Sequence, residues 1–131
     1  MTILIADDDR VQTLILATRL KAKGFRVTVA YDVIQAWMAA IKTLPDMIIL
    51  DIQMPGGTGI AVLKQLKAST KTSQIPVIVL SGSIDPQTVS TVRNLGADEF
   101  LPKPVDLDEL YRTLSRLLGT TPQAPPPGAT G

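Results

Sequence analysis

The chain has 131 residues, 45% of them hydrophobic, a size that suits one domain with its own hydrophobic core. It contains no cysteine and no histidine, which excludes a disulfide framework, thiolate metal sites, a phosphohistidine donor and a Ser-His-Asp hydrolase. Its 13 basic and 12 acidic residues give a formal net charge of +1, a balance that offers no footprint for direct binding of nucleic acid or of an anionic membrane.

The first predicted elements are a strand and a helix. Residues 2–6 form a nearly continuous apolar run, as expected of a strand covered on both faces. Asp9, with Gln12 three residues later, has the pattern of a capping box and opens the helix. Gly24 is predicted to end it. The residues of this segment that fall at helical spacing are Val11, Leu14, Ile15 and Thr18.

The next two pairs of elements repeat this alternation. Residues 27–30 are predicted as the second strand, and Asp32 with Gln35 opens a second helix that runs to about residue 42. Residues 47–50 are the third strand, which ends at Asp51. A third helix is predicted at about residues 59–68.

The last two pairs have equally clear boundaries. Residues 76–80 are predicted as the fourth strand, and Asp85 followed by proline begins the fourth helix. Residues 99–101 are a short fifth strand. Asp106, followed three residues later by glutamate, caps the fifth helix. The predicted ends of these two helices are Gly96 and Gly119. The predicted buried stripe of the last helix is Leu107, Leu110, Leu114 and Leu117.

Strands that alternate with helices predict an α/β fold, (βα)5, with a doubly wound five-stranded parallel sheet and helices on both faces. The common five-stranded order is 2-1-3-4-5, although the periodicity fits other doubly wound orders as well. Residues 1–119 are predicted to be this domain. Residues 120–131 contain four prolines and no large apolar residue, and we predict a disordered tail or linker there.

Polar side chains follow four of the predicted strands: Asp7, Asp8 and Asp9, then Asp51, Ser81 and Lys103. In an open parallel sheet, ligands bind outside the carboxyl ends of the strands, where the strand order reverses. With the 2-1-3-4-5 order, the acidic groups after strands one and three would share a pocket. Each residue also has a structural alternative, because aspartates cap helices and loops, serines occupy turns and lysines lie on solvated surfaces.

Crowded carboxylates need compensating positive charge. A hard cation such as Mg²⁺, which takes oxygen ligands, is one source of that charge, and Lys103 is another. Acidic groups with a divalent cation, a hydroxyl and a lysine form a constellation for phosphoryl transfer, in which one carboxylate attacks in line.

These residues resemble the receiver domains of response regulators in two-component signalling. The acidic start at residues 5–9, the Asp-Ile-Gln-Met-Pro segment at 51–55 and Gly59 are similar to motifs of that family. So are Ser-Gly at 81–82, Gly-Ala at 96–97 and Lys-Pro at 103–104. The resemblance covers residues 1 to about 118 and implies a flavodoxin-like fold.

The resemblance implies a phosphorylation-activated switch in which Asp51 accepts a phosphoryl group from a histidine kinase or phosphotransfer protein, with Mg²⁺ as cofactor. Asp8 and Asp51 would be direct ligands of the ion, Asp7 would act through water, and the backbone carbonyl of Gln53 would be a further ligand. Such a domain has only self-directed phosphotransfer and autodephosphorylation, and is not otherwise an enzyme.

The resemblance also assigns roles around the phosphoryl group. Ser81 and Lys103 would bind its oxygens, Gly82 would leave room for it, and a cis peptide bond before Pro104 would help to aim the lysine. Phe100 would turn inward as Ser81 moves, although simple packing is the alternative for this ring. The positions that tune the phosphoryl lifetime are Gln53 and Ser83.

The output surface implied by the resemblance is helix 4, strand 5 and helix 5, which would regulate a partner protein or an attached effector domain. Four charged residues on this surface are candidates for ion pairs across a homodimer, and a solvated surface of mixed charge is the alternative: Asp98, Glu99, Arg112 and Arg116.

Three other functions remain as alternatives. A phosphate-independent scaffold would keep the fold without the reaction. A phosphatase or mutase of the haloacid dehalogenase type forms an aspartyl phosphate, but it needs a second Asp two residues after the nucleophile, where this chain has Gln53. A nucleotide or flavin domain is disfavoured because neither GxGxxG nor GxxxxGK[ST] occurs.

The sequence also predicts a cytoplasmic protein with no membrane association. No apolar run reaches the roughly 18 residues that a membrane span needs. The first residues lack the basic segment of a signal peptide.

Overall fold

The structure is a computed structural model of the chain, and it describes residues 1–54, 56–82 and 85–119. Two predictions lie outside the described residues, namely the tail or linker at residues 120–131 and the role of Ser83 in the phosphoryl lifetime. In the described part of the chain, none of the helices has the length and apolar character that a membrane crossing requires.

Five parallel strands form one sheet in the order β2-β1-β3-β4-β5. The strands are β1 Thr2–Ala6, β2 Arg26–Ala30, β3 Met47–Asp51, β4 Val77–Ser81 and β5 Glu99–Pro102. This order confirms the predicted doubly wound α/β fold. Every residue of β3 and β4 is buried, which explains why their sequences are apolar runs rather than alternating patterns.

The five helices are α1 Arg10–Ala22, α2 Val33–Thr43, α3 Gly59–Ala68, α4 Pro86–Asn94 and α5 Leu107–Leu118. Their predicted caps are present. Asp9 accepts a hydrogen bond from the N–H of Gln12 at 3.0 Å, and Asp32 accepts one from the N–H of Gln35 at 2.8 Å. Asp106 accepts from two backbone N–H groups at the start of α5. Each cap satisfies donors that the first helical turn leaves free.

The helices cover the sheet on both faces and create two hydrophobic clusters. Between the sheet and α1 and α5, the buried helical side chains are Leu16, Ala17, Leu20, Leu110 and Leu114. Between the sheet and α2, α3 and α4, they are Ala36, Ala40, Val62, Leu63, Leu66 and Val92. Burial of these side chains is the main stabilising contribution, at roughly 1.5–3 kcal/mol for each large one.

The helical spacing in α1 indicates the helix but not its buried face. Val11, Leu14 and Ile15 are 70%, 68% and 53% exposed. The helix packs on the sheet through a different set of residues: Thr13, Leu16, Ala17 and Leu20. The segment is apolar on two sides, so its pattern alone does not reveal which side meets the sheet.

A short hairpin follows β3 and was not predicted. Gln53–Met54 pairs antiparallel with Gly57–Thr58. Such a two-residue pairing is too short to leave an alternating pattern in the sequence. It sets the path of the chain between Asp51 and α3.

Candidate functional site

The register of the sheet brings the predicted residues to one edge. In the pairing of β1 with β3, Ala6 lies opposite Leu50. The next residue on each strand is an acid, Asp7 after β1 and Asp51 at the end of β3, so these two acids lie side by side. The pairing of β3 with β4 and of β4 with β5 brings Ser81 to the same edge, with Lys103 one residue beyond β5. The carboxyl edge of the sheet therefore carries acids, a hydroxyl and an ammonium group.

The ammonium group of Lys103 lies between two buried carboxylates. Its Nζ is 3.0 Å from Oδ2 of Asp7 and 3.0 Å from Oδ2 of Asp51. The other oxygens accept backbone hydrogen bonds, Asp7 Oδ1 from the N–H of Asp9 at 3.0 Å and Asp51 Oδ1 from the N–H of Gln53 at 3.2 Å. Asp7 and Asp51 are only 2% and 4% exposed. Both carboxylates are thus held in fixed positions beside one cation.

The pKa values of these groups reflect burial opposed by pairing. Burial raises the pKa of Asp51 and the neighbouring Asp7 adds to the rise, while Lys103 and the N–H of Gln53 act in the other direction without cancelling it. For Lys103, burial alone would lower the pKa, but its bonds to Asp7 and Asp51 outweigh burial and raise it. The lysine therefore stays charged at neutral pH, and further positive charge near Asp51 would favour its ionised form.

Asp8 completes a cluster of oxygen ligands. One carboxylate oxygen from each of Asp7, Asp8 and Asp51 lies within 4.8 Å of the others. Asp8 is exposed, so the cluster is open to solvent on its side. Magnesium prefers carboxylate oxygens and keeps several of its waters, and this donor set fits an ion of that kind.

Gly59 allows α3 to begin close to Asp51. The N–H of Gly59 donates to the carbonyl oxygen of Ile52 at 2.6 Å. A Cβ atom on Gly59 would overlap the backbone carbonyl of Asp51 and would lie 2.8 Å from Cα of Ile52. A residue with a side chain would therefore displace the backbone that carries the Asp51 carboxylate.

The segment after β4 has room beside the acids. Ser81 is 4% exposed, and its carbonyl oxygen accepts the N–H of Lys103 at 2.8 Å. A Cβ atom on Gly82 would meet no described atom within 4 Å. The peptide bond between Lys103 and Pro104 is cis, as predicted.

A model of the response regulator receiver domain matches residues 3–115. The chain belongs to this family. Receiver domains are phosphoacceptor signalling domains of two-component systems, and the resemblance seen in the sequence is confirmed. The fold and the acidic cluster at the carboxyl edge of the sheet agree with this membership.

Relatives of this receiver domain include the transcriptional regulatory protein CpxR of Klebsiella pneumoniae, 39% identical over 116 residues that cover 88% of this chain and 48% of CpxR. The two-component response regulator ORR11 of Oryza sativa subsp. indica is 36% identical over 118 residues, which cover 88% of this chain and 80% of that protein. The chain spans about half the length of several curated relatives that it matches.

A solved structure with the same fold is the receiver domain of the sensor histidine kinase PA1611 from Pseudomonas aeruginosa PAO1. It is 28% identical with a TM-score of 0.83, and the alignment covers 91% of this chain and 98% of that one. A magnesium ion is coordinated in the active site cleft of that protein.

Phe100 of the receiver domain is 8% exposed and packs in the cluster between the sheet and α2, α3 and α4. The ring lies on β5, beside Val79 of β4. The ring is thus already packed inward in this structure, so burying it takes no inward turn, and simple packing, the alternative for this residue, accounts for its position.

On the predicted output surface, Glu99 is paired within the chain. Its carboxylate accepts hydrogen bonds from Arg93 at 3.0 Å and Arg116 at 2.8 Å. The Asp98 carboxylate accepts a hydrogen bond of 2.9 Å from the N–H of Val77, the first residue of β4. Three of the four residues proposed for ion pairs across a dimer, Asp98, Glu99 and Arg116, are thus engaged internally.

Sequence reasoning missed an apolar groove beside the acidic cluster. The groove runs between the start of α1 and the segment after β5 and is lined mainly by Val11, Gln12, Ile15, Pro104, Val105 and Leu107. Lys103 and Asp9 also line it, so the groove reaches the acidic site. The sequence feature that could have indicated this groove is the second apolar side of α1.

Proposed function

We propose that this receiver domain is a phosphorylation-activated switch that accepts a phosphoryl group on Asp51 from a histidine kinase or a phosphotransfer protein. One observation carries the proposal: the Lys103 ammonium lies 3.0 Å from a buried Asp51 carboxylate oxygen, beside two further acidic groups. Such a lysine offsets charge on the transferred phosphoryl group, while the carboxylate is the nucleophile.

Magnesium is the proposed cofactor. Asp8 and Asp51 would bind it directly, Asp7 would act through a bound water, and the backbone carbonyl of Gln53 would complete the protein ligands. The proximity of the three carboxylates supports this assignment, as does the hydrogen bond that holds Gln53 next to Asp51. The bound ion would supply positive charge that stabilises the oxygens of the phosphoryl group.

In the proposed reaction, one carboxylate oxygen of Asp51 attacks the phosphorus of a phosphohistidine in line. The phosphorus–nitrogen bond breaks, its electron pair returns to the donor imidazole, and an acyl phosphate forms on Asp51. Lys103 and the hydroxyl group of Ser81 would hold two phosphoryl oxygens. Attack by water on the same phosphorus would break its bond to the Asp51 oxygen, release inorganic phosphate and restore the carboxylate, so the only reactions are directed at the domain itself.

The exposed face of α1 is the proposed docking surface for the phosphodonor. Val11, Leu14 and Ile15 are more than half exposed, and the groove beside them is continuous with Lys103 at the acceptor site. A helical protein that presents a phosphohistidine beside an apolar face would cover these side chains and place its phosphoryl group over Asp51.

The switch follows from the charge that phosphorylation adds, about −1.5 to −2, together with three strong acceptor oxygens. Ser81 would move toward them and draw the following loop and α4 with it, while Phe100 stays packed inward. A change from mostly inactive to mostly active needs about 5.5 kcal/mol of differential interaction. Two or three charge-assisted hydrogen bonds of about 1.5–3 kcal/mol each supply that amount. The surface of α4, β5 and α5 would then bind a partner or an attached effector.

The test uses phosphoramidate as phosphodonor and intact-protein mass spectrometry as readout. We expect one phosphoryl adduct on the wild-type chain with Mg²⁺, and no adduct on Asp51→Asn or in excess EDTA. Arg112→Gln, which changes an exposed residue of α5 far along the chain from the acids, is the matched control and should react like the wild type. Equal modification of wild type and Asp51→Asn would exclude Asp51 as the acceptor. No modification at all would favour the phosphate-independent scaffold.

A further inference from the structure

A second charged cluster lies on the proposed output surface, away from the acidic edge. Glu99 at the start of β5 accepts hydrogen bonds from Arg93 of α4 on Oε1 and from Arg116 of α5 on Oε2. Its Oε1 also accepts the backbone N–H of Phe100 at 3.0 Å. These three side chains, Arg93, Glu99 and Arg116, are called the Glu99 clamp. It joins three elements through one carboxylate.

The clamp acts on α4, a helix that buries few of its side chains. In α4, Val92 is the one buried side chain between Pro86 and Asn94. By comparison, α3 buries Val62, Leu63 and Leu66. Besides Val92, the partly buried Val89 of α4 packs against the core. Two valines give the helix less apolar area to fix its position than α3 has, so polar contacts at its ends carry a larger share of the restraint.

The same helix follows the switch residue in the chain. Ser81 ends β4, and α4 begins only five residues later at Pro86. In the proposed switch, movement of Ser81 toward Asp51 would displace the start of α4. Arg93 lies in the last turn of α4, and its bond to Glu99 opposes displacement of that helix relative to β5.

We propose that the Glu99 clamp is a latch that holds α4 against β5 and α5 in the unphosphorylated receiver domain and is loosened when Asp51 is phosphorylated. This inference rests on the proposed function, since it concerns the regulation of the same acceptor site. The clamp opposes activation and sets the fraction of molecules that occupy the switched state before the phosphoryl group arrives.

The exposure of the two arginines sets the expected change in ligand affinity when the clamp is removed. Arg93 and Arg116 side chains are 51% and 55% exposed, and exposed ion pairs contribute little because water and salt screen them. A ligand that binds only the switched state gains apparent affinity in proportion to the population of that state. Removal of the clamp should therefore tighten such a ligand by about threefold, within the range that exposed pairs allow.

The experiment measures the affinity of the Mg²⁺-loaded chain for beryllofluoride, a mimic of the phosphoryl group on aspartate, by titration followed with tryptophan fluorescence or NMR. Glu99→Gln and Arg93→Gln should each bind beryllofluoride about threefold more tightly than wild type. The double variant should gain little over either single one, because both changes remove the same contact. Arg19→Gln removes one positive charge from an exposed position in the last turn of α1, outside the α4–β5–α5 surface, and should bind like the wild type.

The outcomes separate the latch from a simple structural brace. Thermal unfolding of each variant is measured alongside, and a variant that loses stability while its beryllofluoride affinity stays at the wild-type value would overturn the latch. An equal gain in Arg19→Gln would overturn it as well, since the effect would then not depend on the contact with Glu99. Failure of the wild-type chain to bind beryllofluoride would instead overturn the proposed function, and the latch with it.

Discussion

The acidic site and the Glu99 clamp have inverse arrangements of charge. At the carboxyl edge of the sheet, one ammonium group lies between two carboxylates, Asp7 and Asp51. On the α4–β5–α5 surface, one carboxylate lies between two guanidinium groups, Arg93 and Arg116. Each bridging group contacts its partners at about 3 Å or less, so contact distance does not distinguish them.

The acidic site and the Glu99 clamp differ in how deeply their charged groups are buried. The Asp51 side chain is 6% exposed and its pKa is raised, chiefly by burial. Burial also acts to raise the pKa of Glu99, but the Phe100 N–H and the two arginines outweigh it and the pKa is lowered. The ionised form is thus disfavoured at the acidic site and favoured at the clamp. Further positive charge, such as that of a metal ion, would therefore stabilise the ionised form of Asp51. Glu99 is already stabilised by its two arginines, which hold α4 and α5 against β5.

The largest expected effect is on the backbone that supports the acidic site. Gly59→Ala should lower the free energy of unfolding by about 3 kcal/mol, because its Cβ would overlap the carbonyl of Asp51. Urea unfolding followed by circular dichroism measures this. Gly82→Ala is the matched control, since open space surrounds that position. Similar stability of both variants would show that the loop relaxes easily and that Asp51 is not tightly placed.

Removal of the bridging cation is the next largest change. Lys103→Met leaves Asp7 and Asp51 facing each other without compensation, and we expect a loss of about 2 kcal/mol in EDTA. Added Mg²⁺ should restore part of this loss in the variant. Lys71→Met, at an exposed lysine on the loop after α3, is the control. No difference between the two variants in EDTA would contradict the electrostatic account of the site.

Removal of an acid from this site is expected to change the stability in the opposite direction from removal of Lys103. Asp51→Asn should leave stability unchanged or raise it by about 1 kcal/mol at pH 7 without metal, because the raised pKa shows that the ionised form is disfavoured in the fold. The sign of the pH dependence follows. Relative to Asp51→Asn, the wild type should gain stability as the pH falls from neutral through the raised pKa toward 3.8, the ordinary value. A relative loss over that range would contradict the raised pKa.

The smallest expected effect is at the clamp. Glu99→Gln should cost less than about 1 kcal/mol at pH 7, because the pairs are partly solvated. The lowered pKa of Glu99 means that its contribution is present above the ordinary value of 4.5 and is lost as the pH falls through the folded-state pKa below it. The difference in thermal stability between wild type and Glu99→Gln should therefore vanish in acid. A difference that persists at the lowest pH would indicate lost packing rather than lost charge.

Much of the fold could be predicted because its signals are local. The capping residues Asp9, Asp32 and Asp106 mark the helix starts, and the apolar runs mark strands that are buried on both faces. The buried face of α1 could not be predicted, because Val11 and Ile15 are as apolar as the residues that meet the sheet. The hairpin after Asp51 was missed because two paired residues leave no periodic pattern.

The acidic site was predictable for a geometric reason. Parallel strands deliver Asp7, Asp51 and Lys103 to one edge, so the order of the strands is enough to bring them together. The Glu99 clamp was not predictable in this way. It depends on which way the long side chains of Arg93 and Arg116 turn, and the sequence suggested that such charges pair between molecules or remain solvated.

The most direct test of the central claim identifies the residue that receives the phosphoryl group. Borohydride reduces an aspartyl phosphate to homoserine, so the chain is incubated with phosphoramidate and Mg²⁺, reduced, digested and mapped by tandem mass spectrometry. We predict homoserine at position 51 alone, and none when EDTA replaces Mg²⁺. Homoserine at position 7 or 8, or an unmodified position 51 under these conditions, would contradict the account.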